Sequence, residues 1–205
     1  MPARRAQQRK AKHRAPGLAM FSAAAGLLVL AGLYFWLLRH SAPSTEIGGP
    51  FALTQDKGEV VTDRGFRGRF LLIYFGYTSC PDLCPTTLSA VAEALRILGS
   101  EADRLYALFI TVDPKRDTPA VTRAFASSFS PKIIGLSGTA AQIQAIEREY
   151  HVIDRARSPN TGASGYEIDH TAVIFLIAPN GRYLAAIAAT ATGAEIADTI
   201  SHYMS

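Results

Sequence analysis

The stretch FLLIYFGYTSCPDLCPTTLSAVAEALRIL, Phe70 to Leu98, decides the fold. Phe70 to Phe75 is continuously apolar, as expected of a central strand buried on both faces. Thr86 to Leu98 carries apolar residues at helical spacing and stops at Gly99. Cys80 and Cys84 lie in the connection between strand and helix. Pro85 suits the first helical position, which makes Cys84 an approximate N-cap. Unpaired amides and the helix dipole there favour a thiolate. Cys80 precedes it in the loop and can curl back, so two acidic thiols are expected to meet at the edge of the sheet.

The elements on either side extend this pattern. Phe51 to Leu53 and Glu59 to Val61 flank a turn with Lys57-Gly58 and read as a small hairpin. Leu105 to Val112 is a second buried-strand run. Thr118-Pro119 is a cap followed by proline, opening a helix towards Phe129. Ile133 to Leu136 is a short strand. Thr139 with Gln142 forms a capping box for a helix to about Tyr150, and Thr192 with Glu195 one for a helix to about Met204. Ala172 to Ile177 and Tyr183 to Ala188 flank Pro179-Asn180-Gly181, an antiparallel hairpin signal. The order is hairpin, β, α, β, α, β, α, hairpin, α. It predicts an α/β domain of thioredoxin-like type, a mixed sheet with flanking helices.

The whole chain has 205 residues, 48% of them hydrophobic and 19% charged, which excludes disordered and collagen-like classes. Its net charge of +4 by itself suggests an anionic partner such as nucleic acid. The distribution excludes that reading. Residues 1–40 hold seven Lys and Arg and no acid. Removing those seven from 21 leaves 14 bases against 17 acids, a net charge of −3 for residues 41–205.

Gly17 to Leu38 is a run of 22 residues without a charge. As a helix it would span about 33 Å, enough for a hydrocarbon core of about 30 Å. Six of the seven bases precede it, which keeps the N-terminus cytoplasmic. A cleaved signal peptide is the rival reading, but its apolar stretch is usually only about 7–15 residues. The expected organisation is a basic cytoplasmic tail (1–16), an uncleaved transmembrane anchor (17–38), a linker (39–50) and a working domain (51–205). The domain is then periplasmic, on the outer side of the inner (cytoplasmic) membrane.

Two cysteines exclude a disulfide-dense scaffold and an all-cysteine zinc site. A Cys80–Cys84 pair fits a structural disulfide, a redox-cycling disulfide or a soft-metal site. A structural bridge across so short a loop removes little unfolded-state entropy. Two thiolates alone suit monovalent copper. His13, His40, His151 and His202 read as solvated or structural. His170, in Asp169-His170-Thr171, stands in a loop before the Ala172 strand and after a Gly-rich segment, Asn160 to Gly165. Spacing alone makes it a structural histidine; as a nitrogen ligand it would extend the site to divalent copper.

Three spaced motifs then carry a resemblance. Gly76-Tyr77-Thr78-Ser79-Cys80-Pro81-Asp82-Leu83-Cys84-Pro85, Thr111-Val112-Asp113-Pro114-Lys115-Arg116-Asp117-Thr118-Pro119 and Tyr166-Glu167-Ile168-Asp169-His170-Thr171 resemble, in order, the signatures of the Sco/SenC family. The resemblance covers residues 48–204. It implies copper, monovalent and divalent, held by Cys80, Cys84 and His170, with Asp113 in an outer or docking role. It implies a metallochaperone for the binuclear copper centre of cytochrome c oxidase, working with that copper-site subunit, a periplasmic copper donor and a thiol reductase. A thiol-disulfide oxidoreductase acting on exported proteins is the alternative, and a membrane-borne redox or copper sensor is a third. Ser79 stands where many relatives carry His, a position that is not a family ligand.

Overall fold

A computed structural model of the chain describes residues 30–32, 34, 47–157 and 166–205. The chain divides into two units, Met1–Thr45 and Glu46–Ser205. The basic tail, most of the expected anchor and the Asn160 to Gly165 segment lie outside the described residues. Among those described, no helix is long and apolar enough to cross a membrane.

The second unit is built on β3 (Phe70–Gly76), every residue of which is buried. It runs parallel to β4 (Leu105–Thr111), which runs parallel to β5 (Ile133–Leu136). On its other side β3 is antiparallel to β8 (Val173–Ile177), and β8 to β9 (Tyr183–Ala188). The sheet order is therefore β5-β4-β3-β8-β9. The parallel half comes from the helical crossovers, and the turn at Pro179-Asn180-Gly181 makes β9 antiparallel to β8. The domain is thioredoxin-like, as expected.

Successive residues of a strand face opposite ways, so β3 supplies two cores. Phe70, Leu72 and Tyr74 face one that also holds Leu88 and Leu95 of α1 (Leu83–Leu98), Ala126 of α2 (Pro119–Phe129), and Ile196 and Ile200 of α4 (Gly193–Met204). Leu71, Ile73 and Phe75 face the other, with Ile143 and Ile146 of α3 (Ala140–Glu149) and Leu53 of β1 (Ala52–Thr54). Each such side chain stabilises the fold by about 1.5–3 kcal/mol relative to exposure. β1 pairs with β2 (Val60–Thr62) in the expected N-terminal hairpin.

The three caps lie where the sequence puts them. The Thr118 hydroxyl accepts from Val121 N–H, and Thr139/Gln142 and Thr192/Glu195 form complete capping boxes. Two expectations are corrected. Helix α1 begins at Leu83, with Asp82 as its N-cap, so Cys84 is its second residue and not a cap. Pro85 fits one position later because first-turn amides have no intrahelical partner anyway. Secondly, an extra hairpin precedes β8: β6 (Asp154–Arg157) pairs with β7 (Glu167–His170) in a separate two-stranded sheet. His170 therefore ends a strand, with Asp154 opposite, and does not sit in a loop. The pair DRAR and EIDH lacks the apolar alternation by which strands are read.

Candidate metal centre

The two cysteines are placed by the end of β3 and the start of α1. The Cys80 N–H donates to the Tyr77 carbonyl at 3.2 Å, which turns the chain back as it leaves the strand. The Cys84 N–H then donates to Cys80 Sγ at 3.4 Å. Neither residue is in a disulfide; Cys80 is half-buried and Cys84 fully buried. The Tyr74 hydroxyl donates to Cys84 Sγ at 3.6 Å from inside the core. Gly76 leaves room for this sulfur: a Cβ there would lie 2.8 Å from Cys84 Sγ and 2.9 Å from the Phe109 ring.

Two acidic thiols are not what results, since Cys84 is not acidic. The hydrogen bond with Cys80 and burial push the Cys84 thiol far up. The helix amide expected to serve Cys84 is spent on the Cys80 sulfur instead, because α1 starts one residue before Cys84. Two adjacent sulfurs of this kind suit a soft monovalent ion. Zinc would want four ligands.

A buried carboxylate that sequence reasoning passed over holds the loop. Asp117 is fully buried and accepts from Thr78 N–H at 2.9 Å, Thr78 Oγ1 at 2.5 Å and Thr111 Oγ1 at 2.6 Å. It ties the residue two before Cys80 to the end of β4. The signal was present in the motif Asp113 to Pro119, but nothing in the sequence pairs position 117 with position 78.

Asp113 is also buried, 3% exposed. Its carboxylate pairs with Arg116 and accepts from the Tyr166 hydroxyl at 2.6 Å. Tyr166 opens the segment into β7, so Asp113 bears on the hairpin that ends in His170. A second link is the Ile168 N–H, which donates to the Tyr77 hydroxyl at 3.4 Å. Through Tyr77 the hairpin thus meets the loop of Cys80. The side chain of His170 lies outside the described residues. Among the described residues, no group of three or more His, Cys, Asp or Glu gathers as a metal site.

Residues 39–205 match the family model SCO1/SenC. The chain belongs to that family. It is 37% identical over 171 residues to the SCO2-like protein RP587 of Rickettsia prowazekii (strain Madrid E), covering 77% of this chain and 83% of that one. It is 39% identical over 160 residues to the mitochondrial SCO1 homolog of Mus musculus, covering 77% of this chain and 56% of the mouse protein. Among solved structures, Bradyrhizobium japonicum ScoI with copper bound is 43% identical, with a TM-score of 0.69 over 77% of this chain and 99% of that one. That relative holds copper on the same fold. The sulfur pair of this SCO1/SenC domain has the donor chemistry for such a cargo.

Proposed function

We propose that this protein is a membrane-anchored copper metallochaperone. It binds copper through Cys80, Cys84 and His170 and assists assembly of the binuclear copper centre of cytochrome c oxidase. The carrying observation is the pair of unbridged sulfurs joined through Tyr77 to the hairpin of His170, in a SCO1/SenC chain. The thiolates hold monovalent copper, and the imidazole extends the site to the divalent ion. The anchor at 17–38 keeps the domain at the periplasmic face of the inner membrane, within reach of the oxidase subunit that takes the copper. A periplasmic donor loads it, and a thiol reductase keeps the pair reduced in an oxidising compartment.

The test is copper stoichiometry on reduced protein. The parent binds about one ion of either valence. His170→Ala weakens the divalent form selectively, and the double change Cys80→Ser/Cys84→Ser abolishes both. Undiminished binding in the double variant overturns the assignment.

One observation favours a second reading. The two thiols differ, Cys80 half-buried and Cys84 buried against it, the arrangement of an attacking and a resolving thiol. A thiol-disulfide oxidoreductase would keep turning over after His170→Ala and copper chelation. A copper carrier would lose oxidase assembly in both variants.

A further inference from the structure

The β6–β7 hairpin is a sheet of its own, so ladder hydrogen bonds to the central sheet do not set its position. The two-residue connection from β7 to β8, the buried Ile168 and its amide bond to Tyr77 contribute to setting it. Arg116 holds the Tyr166 end. Its Nη1 donates to the Tyr166 carbonyl at 3.0 Å, while its Nε pairs with Asp113. Its guanidinium carbon lies 3.9 Å from the Tyr166 ring centroid and 5.6 Å from that of Tyr77. Arg116 is thereby in contact with the residue just before β7 and with the residue three before Cys80. Among the described residues, its Nη2 is buried with no hydrogen-bond partner. The two rings and the Asp113 carboxylate fix the guanidinium in place.

We propose that Arg116 is a positioning residue for the metal centre, a clamp that holds the β6–β7 hairpin, and with it position 170, against the loop of Cys80. The inference rests on the copper reading of Cys80, Cys84 and His170 and adds what keeps the third ligand at the sulfur pair. A planar fork that stacks on aromatic rings does this, and a lysine point charge does not. The clamp acts mainly on the hairpin: Arg116 also stacks on Tyr77, but Asp117 and the start of α1 hold the cysteines independently of it.

The experiment compares the full chain with Arg116→Ala and the milder Arg116→Lys. Amide hydrogen exchange on metal-free protein reads the clamp directly. In both variants the 166–170 segment exchanges at least about tenfold faster, while β3 is unchanged. Copper titration reads the consequence: divalent affinity falls about tenfold and monovalent affinity less than about twofold. Parental exchange in the 166–170 segment overturns the clamp. Equal weakening of both valences overturns it too, since that is a general loss of the fold. If His170→Ala binds divalent copper as tightly as the parent, the copper reading fails, and the exchange result still decides the clamp.

Discussion

The backbone amide of Cys84 donates to the sulfur of Cys80 across 3.4 Å. An amide in the first turn of a helix has no intrahelical partner, so here its positive end serves the neighbouring cysteine. The same step buries Cys84 behind Cys80, beneath Tyr74. The pair is therefore asymmetric, and the asymmetry has a direct chemical readout.

Cys80 is the thiol that reacts first. The thiolate is the nucleophile; the bond with Cys80 and burial hold Cys84 protonated, and burial still does so in the Cys80→Ser variant. Iodoacetamide at pH 8 should modify Cys80 in the Cys84→Ser variant at least about tenfold faster than Cys84 in the Cys80→Ser variant. Mass spectrometry of timed samples checks this. Equal rates would mean that the helix amide does not discriminate between them.

Gly76 should not tolerate even one added carbon. Gly76→Ala forces a Cβ to 2.8 Å from Cys84 Sγ and 2.9 Å from the Phe109 ring, both in the core. Overpacking of this kind costs about 1–3 kcal/mol. The expected result is a lower denaturation midpoint together with weaker monovalent copper binding, because the displaced atom is a sulfur of the proposed copper site. Unchanged copper affinity would show that the sulfur can move without consequence.

Asp117 should be needed for the loop of Cys80 more than its distance from the sulfurs suggests. Asp117→Ala leaves the Thr78 amide and two hydroxyls without their acceptor. Stability should fall by about 3 kcal/mol, given a loss of about 1–3 kcal/mol for each buried group left unsatisfied, with partial relaxation. Asp117→Asn keeps one acceptor oxygen and should recover part of this. Chemical denaturation of the three proteins orders them, and an Asn variant no better than Ala would refute the hydrogen-bond account.

Glu147 should make the domain less stable as pH rises from about 4.5 towards 7. Burial, with Asp154 nearby, pushes its carboxyl up from the ordinary 4.5 to about 7. Among the described residues its Oε1 is buried without a hydrogen-bond partner. Below pH 4.5 the carboxyl is protonated in both folded and unfolded chains, and its contribution is fully present. Between 4.5 and 7 only the folded chain keeps the proton, so stability is lost steadily over that window. Glu147→Gln should remove this part of the slope in denaturation midpoints measured from pH 5 to 8. A slope unchanged by the substitution would place the titration elsewhere.

Much of the domain was legible in the sequence because its signals are local. The apolar run at Phe70 to Phe75, the three Thr caps and the turn at Pro179-Asn180-Gly181 act through neighbours in the chain, and they appear where expected. Spacing also brought out Cys80 and Cys84 as a pair at a strand-to-helix junction. The β6–β7 hairpin was not legible, since its strands are polar and depend on partners outside the hairpin. Nor did spacing alone separate His170 from a structural histidine.

What the sequence by itself determined is the order of strands and helices, the cysteine pair and the family motifs. Tertiary structure alone decided which cysteine receives the helix amide, because that turns on one residue of helix register. It also decided the partners of Asp113, Arg116 and Asp117. Those contacts join residues up to 53 positions apart, and buried polar groups find such partners only when the packed chain removes water from them.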